Sequence, residues 1–478
     1  VAELSWVVVA IYVVFMAIVP RRSGLISAST IFMTTNLVMA LGTLPMLDVG
    51  READRVHAAV ICVSLAAVAA LLVAASTLFG GRFAAAPLRQ QTRAYPATRT
   101  LWILIGVSFA ICIAYYGALG YNVLFLGVFA YATGTPLDIT ALRLDSYSGP
   151  QYLFPGYVNQ FRNVLLPALS LVTIVALFRS RSRLRWWVST GLILANVVFM
   201  LGTGQRGAFV TFMLVTVTFI AFVSPRAFWR WMPLVVAAAL PLFLLATFAL
   251  GRAQTELDSA SGPLEQLWVL FGQLAFRILG SNQEASVAGF RYIYDLPTQW
   301  GGEWLQAAIG LLPGLTGSDI SNQIHAELYG SDRGTAPLSV WGSTFYNFGF
   351  GGVVVVSILL ALALHAIDRV RLSAAHRNSL EVVGAAGIAV VVGTWVASDP
   401  TYLLNVGAAV FAGLWFWGRR TSSTTSLTMP LLHWGEPSSL GGASPLVAIT
   451  ARVRGRARRL ATRHRSTEPT ESHSSPRT

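Results

Sequence analysis

The chain has 478 residues, 54% hydrophobic and only 12% charged, with a net charge of +13 and a mean hydropathy of +0.60. Soluble domains carry roughly 25% charged residues, so this deficit excludes an ordinary soluble enzyme and places the chain in the membrane class. All 34 of its Lys-plus-Arg positions are Arg, and they flank apolar runs, which argues for membrane topology and against nucleic acid as their purpose.

An apolar run of about 17–25 residues is long enough to cross a bilayer. About eleven such runs follow one another: 4–19, 25–47, 58–79, 101–119, 161–178, 186–203, 208–224, 232–250, 341–366, 381–398 and 402–417. The expected fold is therefore all-α, a polytopic transmembrane helix bundle over 1–418 followed by a disordered, basic tail over 419–478. The first run reads as the first span, with no cleavable-signal pattern. Cys62 and Cys112 fall inside spans and read as small apolar fillers.

The arginines sort by loop. Arg21 and Arg22 follow the first run, Arg82 to Arg99 the third, Arg179 to Arg185 the fifth, and Arg226 and Arg230 the seventh. Arg369 to Arg377 follow the ninth run, and Arg419 and the tail follow the last. Alternating spans place all of these on one side, which the positive-inside rule makes the cytoplasm. The opposite side then receives 48–57, 120–160, 202–207, 252–340 and 399–401. Two of these loops, 120–160 and 252–340, are long enough to build a polar site. The tail run ARVRGRARR suits either anionic lipid or a solvated, topology-fixing role. The chain shows no internal repeat, P-loop, HExxH or paired CxxC.

Candidate chemistry lies on the outer side. The turn Gly202-Thr203-Gly204-Gln205-Arg206-Gly207 joins two spans and sets Arg206, with Gln205, at the membrane boundary beside glycine backbone that a substrate can approach. A snorkelling cap on the hairpin is the competing role for Arg206. Leu264, Leu267, Trp268, Phe271, Leu274, Ala275 and Ile278 recur at helical spacing, so the stretch from Pro263 to Phe290 reads as a helix lying on the membrane surface or packed across the bundle mouth, with Arg277 near the edge of its stripe, placed to hold an anion or to reach headgroup phosphates. Arg291, Glu303, Asp319, His325, Glu327, Asp332 and Arg333 follow in a Gly- and Pro-broken segment. A carboxylate or His there can take a proton from a sugar hydroxyl, and Arg suits phosphate through its planar, permanently charged fork. Each of these charges taken singly also fits a solvated loop. The loop 120–160, with Asp138, Arg143, Asp145, Tyr147, Tyr152 and Tyr157, is a second wall of the expected site, and Asp399 is a weaker candidate.

Three segments carry a family resemblance: LGTGQRGAF at the short outer turn, FRILGSNQEAS early in the large outer loop, and STFYNFGFGGVVVVSILL, including Tyr346 and Asn347, at the start of the next span. In order and spacing over about residues 100–418 the chain resembles the oligosaccharide repeat-unit polymerases, the O-antigen polymerase (Wzy-type) family. It departs from that family at Leu312-Pro313-Gly314, where a basic pair is often found. The resemblance implies a GT-C-like membrane glycosyltransferase without cofactor or metal, in the cytoplasmic membrane of a bacterium with its C-terminus inside. Its substrate would be an oligosaccharide on polyprenyl pyrophosphate within membrane lipid, with a chain-length regulator or flippase as protein partner and no nucleic acid. It further implies Arg206, Arg277, His325, Glu303 and Asp319 as catalytic residues, with Arg143, Gln205, Arg291, Arg333, Tyr346 and Asn347 binding substrate.

Two other readings stand beside it. One is a ligase moving finished glycan to another acceptor, or a polyprenyl-phosphate-sugar glycosyltransferase; the latter would use acidic residues such as Asp48, Glu52 and Asp54, although Arg51 and Arg55 make a charge-balanced turn the simpler account. A flippase or transporter needs polar groups within the spans, where Asn36 and Asn196 are among the few.

Overall fold

A computed structural model describes residues 2–79, 91–96, 98–135, 137–148, 155–180, 183–224, 228–230, 232–233, 237, 262–331, 334–373 and 376–425. It is mostly helical. In chain order the elements used below are α1 (Ala2–Ile18), α2 (Ala28–Thr43), α3 (Glu52–Phe79), β1 (Gln91–Arg93), α4 (Arg99–Leu119), α5 (Val123–Thr133) and α6 (Ile139–Ser148). A π-helical turn, Gln160–Leu165, then leads into α7 (Leu166–Arg179), α8 (Arg185–Leu201) and α9 (Gly207–Val223). Next come α10 (Pro263–Phe276), a second π-helical turn (Arg277–Ser281), α11 (Asn282–Tyr294), α12 (Gly302–Ile309), α13 (Ile320–Tyr329), α14 (Val340–Ser373), β2 (His376–Asn378), α15 (Ser379–Gly393) and α16 (Ala408–Thr425).

Among the described residues five helices are long and apolar enough to cross a membrane: Glu3–Ser23, Glu52–Phe79, Arg99–Leu119, Gly156–Arg179 and Val340–Ser373. α8, α9 and α15 are shorter apolar helices. The expected span 232–250 lies almost entirely outside the described residues.

α15 is the axis of the bundle. It is apolar all round and buried along nearly its whole length, as a helix with no solvent face must be. It packs against α16, α9, α2 and α7, while α3 lies along α14. Small residues permit the close approach. A Cβ on Gly384 would sit 2.7 Å from both Phe411 O and Trp415 Cα of α16. Gly384→Val is therefore expected to force α15 and α16 apart and to cost about 1–3 kcal/mol, read as a lowered thermal midpoint of the purified protein in detergent.

Buried polar groups close the helix ends. Ser27 caps α2, and Asp368 of α14 accepts from Ala28 N (2.9 Å), Ser29 N (3.2 Å) and Ser29 Oγ (2.7 Å), setting a carboxylate at the positive end of that helix. Within the spans Asn36 accepts from Trp341 Nε1 (3.1 Å) and Asn196 donates to Ser170 Oγ (2.9 Å). Both amides thus tie neighbouring helices together.

Contacts among the described residues group several of the loops into two sets. On the arginine-rich side β1 pairs in parallel with β2 (Thr92 opposite Arg377), Arg22 donates to Ser76 O and Thr77 O, Arg371 to Ser23 O, and Arg377 to Phe222 O. At the other side Arg291 meets Asp54, Val123 N donates to Gly202 O (2.7 Å), and Gln160 Nε2 donates to Leu404 O and Asn405 O.

Three boundaries differ from expectation. The loop 120–160 is largely helical, because Asn122 caps α5 and Gly134, at φ +66°, ends it. The last helix starts at Ala408, since Thr401–Asn405 forms its own turn of helix broken at Gly407 (φ +100°). That last helix also runs past 418 to Thr425, held where Asn378 Nδ2 donates to Gly418 O (2.8 Å) and Thr421 Oγ1 (3.0 Å). The rest of the expected tail lies outside the described residues.

Candidate active site

On the side opposite the arginine-rich loops a cavity of about 1000 Å³ opens between the 303–321 segment, residues 156–160 and residues 399–410. Its size matches the upper end of small-ligand sites, about 300–1,000 Å³. Its charged lining residues are Glu303 and Asp399. Asn159, Gln160 and Asn405 supply amides, and Tyr157, Ser318, Thr401 and Tyr402 supply hydroxyls.

Glu303 is held there by the start of α14. Gly301, at φ +85°, turns the chain into α12, and a Cβ on it would come within 3.1 Å of the Phe348 ring. Gln299 N donates to Tyr346 O (3.0 Å) and Gly301 N to Asn347 O (3.3 Å), so this loop lies along the first turns of α14. Trp304 adds Nε1 to Ser343 Oγ (2.9 Å) and an edge-on contact with Phe348 at 5.0 Å. Asn347 then donates from Nδ2 to Glu303 Oε2 (2.9 Å), and Ser318 donates from Oγ to Glu303 Oε1 (2.8 Å). Tyr346, Asn347 and Phe348 thus act together as the brace of one carboxylate.

Glu303 as a residue is 8% exposed. Burial pushes its pKa above the ordinary carboxylate value. The hydrogen bonds from Asn347 and Ser318 pull the other way without cancelling the rise, and the charge of Asp399 adds to it. A buried carboxylate with a raised pKa beside a polar cavity is the pattern of a proton acceptor or donor. Asp399 is tied by Thr401 N (2.8 Å) and the Thr401 hydroxyl, next to Ser398, a non-glycine residue at φ +62°. Strain of this kind concentrates at functional sites.

A second cluster surrounds the Gly202–Gly207 turn. A Cβ on Gly202 would meet the Tyr116 hydroxyl at 2.5 Å, and one on Gly204 (φ +73°) would meet Arg143 Cγ at 3.1 Å. Arg143 of α6 therefore stacks its methylenes on the turn that carries Gln205 and Arg206, and among the described residues its buried Nε has no hydrogen-bond partner. Ser146 Oγ closes the contact on Thr203 O (3.4 Å).

The remaining expected residues fall elsewhere. Arg291 is no open anion holder. Its Nε and Nη2 donate to Asp54 Oδ1 and Oδ2 at 2.8 and 2.6 Å, which occupies the fork. Asp54 and Asp48, paired with Arg291 and Arg51, thereby form the charge-balanced turn and not an acidic centre. Asp319 is exposed at the start of α13, and its carboxylate does not line the cavity. His325 is turned away as well: its Nδ1 donates to Ser331 O (2.6 Å) and Gly334 packs on its ring. Arg277 heads the π-helical turn, but its side chain, like Arg333 as a whole, lies outside the described residues. Residues 263–294 are helical throughout, and Trp268, Phe271 and Phe276 are exposed.

One residue escaped the sequence reading. Arg162 is 1% exposed within the first π-helical turn. An arginine just inside an apolar run was the available signal, the same rule that singled out Arg206.

No protein-family model matches the chain, no curated protein matches it, and no solved structure matches its fold.

Proposed function

We propose that the chain is a membrane glycosyltransferase that polymerises polyprenyl-pyrophosphate-linked oligosaccharide repeat units at the outer face of a bacterial cytoplasmic membrane. About eleven spans of GT-C-like arrangement would carry it, with the arginine-rich side and the C-terminus in the cytoplasm. The observation that carries the reading is Glu303, a buried, braced carboxylate that faces an amide- and hydroxyl-lined cavity, held by the segment whose sequence resembles the polymerase family.

In this reading Glu303 accepts the proton of an acceptor sugar hydroxyl. The hydroxyl oxygen bonds to the anomeric carbon of the donor, and the bond from that carbon to the diphosphate oxygen breaks with its electron pair leaving on the diphosphate. Arg143 and Arg206 meet the charge that develops there, and Arg277 is the expected third cation. Diphosphate is already a good leaving group, so positioning and charge stabilisation supply most of the acceleration. Glu303 then returns its proton to water.

The reading is tested on lipid-linked glycans from a strain lacking the gene. Single repeat units accumulating on the outer leaflet are expected. Accumulation on the inner leaflet would instead make the protein a flippase, and unchanged polymer would remove it from this process.

A further inference from the structure

We infer that Arg162 is a positioning cation for a phosphate-type leaving group, an assignment that rests on the polymerase reading. Its guanidinium is almost fully buried, and the partners that hold it are all neutral. Nε donates to Asn163 Oδ1 (3.0 Å), Nη1 to the Tyr116 hydroxyl (3.4 Å) and Nη2 to Asn159 Oδ1 (2.7 Å), while the Tyr115 ring lies 5.7 Å beneath it. Among the described residues no carboxylate joins this shell. A buried charge without a counter-charge is costly, and a bundle that keeps one within a span normally uses it. The helix is π-wound at this point, the irregularity that helices most often carry at functional sites.

Its location assigns the use. Asn159 lines the cavity that holds Glu303. Tyr116 packs on Gly202, the first residue of the turn that carries Arg206, and donates to Phe199 O (2.6 Å). Arg162 therefore stands between the carboxylate cavity and the arginine-framed turn, one side chain from each. It does not line the cavity, so it acts through Asn159 and Tyr116 and through its field, which low-dielectric surroundings carry farther than water does. A phosphate-type anion is the counter-charge that the shell lacks.

The test uses the full chain in nanodiscs, with farnesyl diphosphate, inorganic pyrophosphate and farnesol as probes. The wild type is expected to bind farnesyl diphosphate well above farnesol. Competition by inorganic pyrophosphate alone separates recognition of the free anion from recognition of the lipid-linked one. Arg162→Gln keeps hydrogen-bonding groups and loses the charge; Arg162→Lys keeps the charge and loses the fork. The inference expects binding weakened by about tenfold or more in Arg162→Gln and largely retained in Arg162→Lys. The reverse order, at matched thermal midpoints, makes Arg162 a hydrogen-bonding strut and overturns the inference. Should Arg162→Gln fail to insert, Arg162→His supplies the charge reversibly. Its diphosphate preference is then expected to fall between pH 5 and 8 relative to wild type at the same pH, and a constant ratio overturns the inference. A wild type that binds farnesol as well as farnesyl diphosphate overturns the polymerase reading itself, whereas a preference that survives in Arg162→Gln overturns this inference alone.

Discussion

Glu303→Gln is expected to lower chain extension by about 10²–10⁴-fold, the usual contribution of a positioned base, while the protein still reaches the membrane. The glutamine amide has the size of the carboxylate and can still accept from Ser318 Oγ. It replaces one acceptor by a donor opposite Asn347 Nδ2, at a cost of about 1 kcal/mol. The pH dependence has a definite sign. The base works when deprotonated, so activity falls as pH drops through a pKa that burial has raised above the ordinary carboxylate value. Stability runs the other way. A carboxylate with a raised folded-state pKa favours folding below its unfolded pKa, and that contribution is lost as pH rises through the folded pKa. In Glu303→Gln relief of the buried charge offsets the cost of about 1 kcal/mol opposite Asn347, so the neutral-pH thermal midpoint should stay nearly unchanged while extension falls. Full-length polymer from Glu303→Gln at normal protein levels would remove Glu303 from the chemistry.

The second large effect is one of stability. Arg291→Met strands Asp54, whose side chain is 1% exposed and whose carboxylate otherwise receives two bonds from Arg291 and one from Asp48 N (2.7 Å). Breaking a buried pair from one side costs about 3–5 kcal/mol. The Arg291 side chain is 34% exposed, so solvent screening places the loss at about 3 kcal/mol or below. The pair joins α3 to α11 beside His57, which stacks on Phe290 at 4.2 Å, so the loss spreads to the seat of the large outer loop. Asp54→Asn in the same chain should restore most of it. Thermal midpoints of the two variants check this. A stable Arg291→Met protein that no longer extends chains would return Arg291 to the substrate site.

Five of the apolar runs were legible as helices long enough to cross a membrane, because that depends on local composition alone. The parallel pairing of β1 with β2 was not, since three-residue strands separated by most of the chain leave no periodic trace. Within the 252–340 loop Glu303, Asp319 and His325 looked equivalent. What separates them is Asn347, 44 positions beyond Glu303, which selects one carboxylate and buries it. Arg291 looked like a phosphate ligand because its partner lies 237 positions away, in what reads as an unrelated turn. Packing gives one of the segments that carry the resemblance a physical role: Tyr346 and Asn347 hold the loop that presents Glu303.

The most direct measurement of the central claim is reconstitution. The purified chain is placed in vesicles with polyprenyl-diphosphate-linked repeat units from its own host, and product lengths are separated on a gel. A ladder of increasing repeat number is expected from the wild type, and single units from Glu303→Gln at equal protein. A wild type that leaves only single units, or an equal ladder from Glu303→Gln, would contradict the central claim.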